Sequence, residues 1–241
     1  MSLYDSFIDT MTAHPPYVQK MEVRRNEKIA AIIDRYIKNQ EQKSVLEVGI
    51  GVGLFKNAIM KLGYAYTGLD RNQKMVDTFN ACNDGSKAIC ASIPPIPEIL
   101  TEKFDVIYAA FVAEHMRDGL ELFQFIDELK MLLKPNGLLV LIAPDARSMG
   151  IEFWNQDYTH RYPTTERNVS CIVKEAELAI EKIIFYRGAM WTGFKFWLCK
   201  IAGIFYNYRL MSRLFGRKAF FYSVYQYLKI DTLFFICRKQ K

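Results

Sequence analysis

Several features that would narrow the chemistry at once are missing. No run approaches the roughly eighteen uninterrupted apolar residues of a spanning helix, and no low-complexity tract marks disorder. The N-terminal MSLYDSFIDTMTAHPPYVQK has no basic segment followed by an apolar run, which predicts neither signal nor transit peptide and a cytoplasmic location. Cysteine is sparse: Cys82, Cys90, Cys171, Cys199 and Cys237 are odd in number and irregular in spacing, so neither a disulfide framework nor a zinc site is expected. Acidic residues are absent from Gly188 to Ile230, a segment holding seven Lys/Arg.

What is present reads as one folded unit. A chain of 241 residues, 51% hydrophobic and 24% charged, can bury a substantial core in one domain carrying an insertion. In residues 23–40, Ile29, Ile32, Ile33 and Tyr36 recur at helical spacing before Lys38 and Asn39, predicting a helix that leads into a sheet. Short strands at 44–48, 64–70, 87–91, 104–110 and 138–143 then alternate with helices at 54–62, 73–80 and 120–133, the last ended by Pro135, Asn136 and Gly137. Strands apolar on both faces call for an α/β fold, a mostly parallel sheet with helices on each side. A loop at 148–163, a helix from Thr164 or Thr165, a sixth strand at 179–186 and a seventh at 232–238, antiparallel to the sixth, complete the expectation. Residues 188–230 are expected to form an inserted helical subdomain broken at Gly203 and Gly216, leaving 1–187 and 231–241 as the main domain.

The first strand runs into Glu47-Val48-Gly49-Ile50-Gly51-Val52-Gly53, and 17 residues beyond Gly53 the second strand ends on Asp70. Glycines at a strand-to-helix turn let backbone pass close to a ligand, and the helix N-terminus offers unpaired N–H donors. An acidic residue ending strand two can accept hydrogen bonds from both ribose hydroxyls. A dinucleotide fingerprint needs its third glycine one position later, where Leu54 stands.

The EVGIGVG segment instead resembles the first motif of the class I S-adenosylmethionine (SAM) dependent methyltransferases, and TGLD with Asp70 resembles their second. FDVIYAAFVAEHM (104–116) and LLKPNGLLVLIAPD (132–145) resemble the fourth- and fifth-strand motifs, so the likeness covers about 25–145. It implies a Rossmann-like seven-strand sheet with SAM as cofactor. Gly49, Gly51 and Gly53 then line the methionine and ribose portion, Glu47 orders the turn, Asp70 holds the ribose and Arg71 lies near the adenosine edge. Ala110, ending the fourth strand, counts among the cofactor contacts. Many relatives carry an acidic residue after strand three; here Cys90-Ala91-Ser92-Ile93 leaves Ser92 one hydrogen bond to adenine and Ile93 an apolar contact.

Acceptor groups are expected beyond the carboxyl ends of the strands. Glu114-His115 resembles a frequent pair of the family at the active-site border. Asp157-Tyr158-Thr159-His160-Arg161-Tyr162-Pro163 resembles an Asp-x-Thr-His-x-x-Pro segment in methyltransferases encoded with bacterial surface-glycan genes. His160 is the candidate base for taking a hydroxyl proton, with Asp157 to orient it, and His14 and Tyr17 are candidates for a lid. The reading is O-methylation of a sugar in a surface glycan or its lipid-linked precursor. The alternatives are a methyltransferase for a small lipophilic metabolite such as a quinone precursor, and a non-catalytic SAM-binding protein. The basic, aromatic segment 188–230 either caps the fold or makes peripheral contact with a membrane surface; without a recognisable nucleic-acid module, the sequence argues against nucleic acid.

Overall fold

Apolar strands separated by glycine-rich and proline-rich turns assemble into a seven-stranded sheet. The computed structural model describes residues 16–37, 43–82 and 84–240. Its elements are α1 (Pro16–Tyr36), β1 (Lys43–Val48), α2 (Leu54–Met60), β2 (Tyr64–Asp70), α3 (Gln73–Asn80), β3 (Lys87–Cys90) and β4 (Phe104–Ala110), then a 3₁₀ turn (Ala113–His115). There follow α4 (Gly119–Leu132), β5 (Leu133–Pro144), α5 (Ala146–Met149), α6 (Glu152–Gln156), α7 (Glu166–Glu175) and β6 (Leu178–Tyr186). The chain continues through α8 (Gly193–Phe205), α9 (Tyr208–Phe215), α10 (Lys218–Lys229) and β7 (Thr232–Lys239).

The strand order is β3-β2-β1-β4-β5-β7-β6. All pairings are parallel except those of β7, which runs antiparallel between β5 and β6. This is the Rossmann-like α/β sheet that the motif order implied. Side chains alternate across it: Phe235 and Leu46 join Phe125, Leu129 and Val173 on one face, while Phe234 and Val45 join Ile29, Ile33 and Phe55 on the other. Each such fully buried side chain contributes about 1.5–3 kcal/mol relative to exposure. Helix starts follow capping chemistry, as where the Thr165 hydroxyl accepts the Asn168 N–H at 3.1 Å to open α7.

Four details depart from the expectation. Helix α1 already includes Pro16, seven residues ahead of the expected position 23. Its buried stripe includes Glu22 and Asn26, polar positions that hid the period from the sequence. Strand β5 begins at Leu133, before Pro135, because the 135–137 turn is absorbed as an irregularity in its ladder with β4. Within the expected 148–163 loop, the last residues of α5 and all of α6 form short helices. Gly203 does not break a helix: it lies inside α8, and a Cβ there would stand 2.8 Å from the Leu228 carbonyl oxygen, so glycine lets α8 and α10 approach. Gly216 does end α9, at φ 67. Lys38, Asn39 and His14 lie outside the described residues, whereas the Tyr17 ring packs edge-on against Phe220 at 6.2 Å.

The segment between β6 and β7 leaves and re-enters the sheet at one point, since Tyr186 and Thr232 are register partners. A buried Arg187–Asp231 ion pair closes its base, with Arg187 also donating to the Leu228 carbonyl. β6 runs parallel to β5, so the insertion stands at the carboxyl edge of the sheet, the edge that carries ligands in open α/β folds.

Candidate active site

Chain order reverses between β1 and β4, and the crevice at that switch point gathers the motif residues. The Gly49 N–H donates to the Leu69 carbonyl at 2.8 Å, and the Gly53 N–H to the Ile50 carbonyl at 3.1 Å, folding the turn back on itself. Gly49, Gly51 and Gly53 take φ of 81, 49 and 74, which L side chains rarely adopt. A Cβ at Gly49 would lie 2.9 Å from Val112 Cγ2, but one at Gly51 would meet nothing within 4 Å. The loop is therefore pinned at one glycine and open to a ligand at another.

Asp70 sits beside this cradle at the end of β2. Its Oδ2 accepts the Ile50 N–H at 3.2 Å and its Oδ1 the Asn72 N–H at 2.9 Å. A carboxylate has about four lone-pair sites, so both oxygens retain capacity for the two hydroxyls of a ribose. Glu47 is buried on β1 and accepts from the Tyr66 hydroxyl; burial pushes its carboxyl up to about 8 despite that hydrogen bond. It braces the strand below the turn. Ala110 ends β4, paired with Ile142, and Ser92 is exposed after β3. Ile93 is buried within the core cluster containing Leu69 and Leu100. The fit to a nucleoside is good at the glycine turn and at Asp70.

The acceptor side is built from the 3₁₀ turn and the 157–162 loop. The Glu114 carbonyl accepts the N–H groups of Arg161 and Tyr162 at 2.8 and 3.1 Å, tying the two segments together. The Thr159 hydroxyl donates to Asp157 Oδ1 at 2.7 Å and stands 2.9 Å from His115 Nδ1. With its proton given to Asp157, that hydroxyl accepts from His115, so Nδ1 carries the hydrogen and Nε2 keeps its lone pair. The His160 Nδ1 lies 2.7 Å from the Phe153 carbonyl, which only accepts, and its Nε2 is left with a lone pair too. The two rings stand 5.1 Å apart. Asp157 thus engages His115 through Thr159, where the sequence had paired it with His160.

Burial lowers the His115 pKa, and His160 and Arg71 push it further down, so the ring is neutral at neutral pH. Desolvation of Asp157 is outweighed by the hydroxyl and N–H of Thr159, which hold its carboxyl below the usual range. Glu114 is fully buried, Oε2 has no hydrogen-bond partner, and burial pushes its pKa up to about 8. Glu114, His115 and His160 each bring one potential ligand atom within 4.8 Å of the others, a cluster that irregular cysteine spacing gave no reason to expect. Sequence reasoning also missed Phe111, held at φ 58 at the end of β4 with the Arg25 guanidinium 5.8 Å from its ring centre. Nothing in its local sequence signals that backbone.

A nucleoside cradle at the switch point, with two imidazoles on the same edge, defines a Rossmann-like enzyme served by a nucleoside-bearing cofactor. The chain belongs to the Methyltransferase domain family, whose model matches residues 21–183, and it is a SAM-dependent methyltransferase. It is 29% identical over 189 residues to a ubiquinone biosynthesis O-methyltransferase of Histophilus somni (strain 2336), covering 68% of this chain and 77% of that one. Among solved structures it resembles the N-methyltransferase NodS from Bradyrhizobium japonicum WM9 in complex with S-adenosyl-l-homocysteine (SAH). That match has a TM-score of 0.57, 16% identity and coverage of 89% and 87%. It also resembles the cyclopropane synthase MmaA2 from Mycobacterium tuberculosis, with a TM-score of 0.60, 13% identity and coverage of 88% and 83%. Neighbours of such different names share the fold and leave the acceptor open. The surface-glycan association finds no support among these relatives.

The two glycines separate stability from binding. Gly49→Ala should lower the melting temperature of the ligand-free protein more than Gly51→Ala, because it adds a clash with Val112 to the left-handed strain of about 1–2 kcal/mol common to both. Gly51→Ala should instead weaken SAM binding by about tenfold or more, its methyl entering the open space. Melts and calorimetric titrations run side by side check this; unchanged SAM affinity in Gly51→Ala would move the cofactor off the loop.

Proposed function

We propose that this enzyme methylates a hydroxyl of a small lipophilic acceptor, with His115 as general base. The observation that carries this reading is the hydrogen-bonded chain Asp157–Thr159–His115, which fixes the tautomer with Nε2 unprotonated. A hydroxyl needs that group, because its oxygen becomes an adequate nucleophile only as its proton leaves. A neutral amine attacks with its own lone pair. When bound, SAM supplies a methyl on a sulfonium, transferred by in-line displacement. Asp70 is assigned to the ribose hydroxyls and the 49–53 turn to the methionine portion.

Ile151, Trp154 and Tyr158, which precede His160 in sequence, are exposed, and we assign them to the contact with an apolar acceptor. The name of the Histophilus somni relative, a ubiquinone biosynthesis O-methyltransferase, agrees with an oxygen acceptor. The test is methyl transfer from labelled SAM to catechols and lipophilic phenols, against amines and free sugars, with and without EDTA. Phenol methylation that survives EDTA supports the base. Transfer lost to EDTA and restored by a divalent cation would replace it with metal activation at Glu114, His115 and His160. Transfer to amines or sugars alone would end the lipophilic-hydroxyl reading.

A further inference from the structure

We propose that the 188–230 insertion docks the enzyme reversibly on an anionic bilayer surface, lying flat upon it. Along α8, Phe194, Trp197, Leu198, Ile201, Ile204 and Phe205 recur at helical spacing, a stripe of the kind that ordinarily faces a core. Here it faces outward: Phe194 is 77% exposed, Trp197 59%, Ile204 71% and Phe205 84%. The opposite side of the helix, marked by buried Gly203, packs on α10. At 3.6 residues per turn, Lys195 and Lys200 stand on the two borders of the exposed stripe. The Lys200 ammonium lies 5.2 Å from the Trp197 ring centre.

The next helix repeats the pattern. Leu210 and Leu214 are exposed on α9 beside Arg209 and Arg213, one turn apart in each case, and Phe215 is exposed at its end. Among the described residues no helix is long and apolar enough to cross a membrane. Aromatics and aliphatics seated at the headgroup boundary, with lysine and arginine reaching phosphate, are the chemistry of a helix that lies in the interface.

Charge decides the occupant. Seven cations and no acidic residue between Gly188 and Ile230 attract a negative surface, whereas a second copy applied face to face would oppose cations with cations. The insertion also springs from the carboxyl edge that carries the catalytic loops. Glu152 of α6 acts electrostatically on Arg209, Tyr222 and Tyr225, so the loop preceding His160 neighbours the docking helices. An apolar acceptor held in a bilayer would then be presented near His115. Docking itself does not depend on the acceptor's identity.

The test is cosedimentation of the full chain with vesicles of phosphatidylcholine containing phosphatidylglycerol, against phosphatidylcholine alone, at about 0.15 M salt. Partition should favour the anionic vesicles at least about tenfold. The triple variant Lys200→Gln, Arg209→Gln, Arg213→Gln should weaken it about a hundredfold. Ile204→Ser with Phe205→Ser should also weaken it, and SAM affinity should be unchanged in both variants, reporting an intact fold. No recovery with either vesicle overturns the proposal, as does equal recovery with both. So does concentration-dependent dimerisation of the parent protein that the Ile204/Phe205 variant abolishes. Because no acceptor enters this assay, its failure is separate from failure of the methylation reading.

Discussion

Asp70→Ala should weaken the binding of both SAM and SAH by at least about a hundredfold. Two hydrogen bonds from ribose hydroxyls to a carboxylate are each worth about 1.5–3 kcal/mol, so their joint loss lies between two and four decades. The substitution also removes the acceptor for the Ile50 and Asn72 N–H groups, which now hold the glycine turn against β2. Ile50 is buried, so its amide would be left without a partner. Asp70→Asn separates these contributions: it keeps one side-chain oxygen but not the charge, and should lose about tenfold. Calorimetric titration with SAH reads both variants. A loss smaller than threefold in Asp70→Ala would place the ribose elsewhere.

The cofactor half of the molecule was legible because its signals are local. Glycines at 49, 51 and 53, an acid at the end of the next strand and apolar runs between them state a turn, a strand and an anchor within 22 residues. The acceptor half was only partly legible because its geometry joins distant segments. Asp157, His160 and His115 were all recognisable as chemical groups. Which imidazole Asp157 supports depends on the Thr159 hydroxyl meeting His115, 44 residues away in sequence. The same limit applies to Gly203, which reads as a break until the Leu228 carbonyl is seen beside it, and to buried Glu22, whose partner lies far along the chain. Tyr227 of α10, whose hydroxyl donates to Glu22 at 3.2 Å, is 205 residues away. The exposed stripe on α8 shows a further limit: helical spacing gives a face, and not whether that face is covered.

His115→Gln should reduce kcat for a hydroxyl acceptor by about a hundredfold to ten-thousandfold, the range a positioned general base supplies, while leaving SAM affinity within about threefold. His160→Gln should cost less, because its Nδ1 is engaged by the Phe153 carbonyl and, among the described residues, its ring has no hydrogen-bonded link to a carboxylate like that of His115 through Thr159. Thr159→Val breaks the chain at its middle. It removes the hydroxyl that accepts from His115 Nδ1–H and donates to Asp157, leaving Nδ1 only the longer contact to the Thr159 carbonyl at 3.3 Å, so kcat should fall without loss of SAM binding. The pH profile tests the assignment independently. The active base is the unprotonated ring, and burial lowers the His115 pKa, so activity should hold level from neutral pH to below 6.5 and fall only in more acidic solution. Arg71→Ala removes a charge that pushes this pKa down, so the acid limb should move to higher pH. Asp157→Asn removes one that pushes it up, and the limb should move lower. Shifts in opposite directions from two variants are not the mark of general structural damage. If His115→Gln keeps more than a tenth of wild-type kcat while His160→Gln loses most of it, the base is His160 and the Thr159 chain only holds the loop.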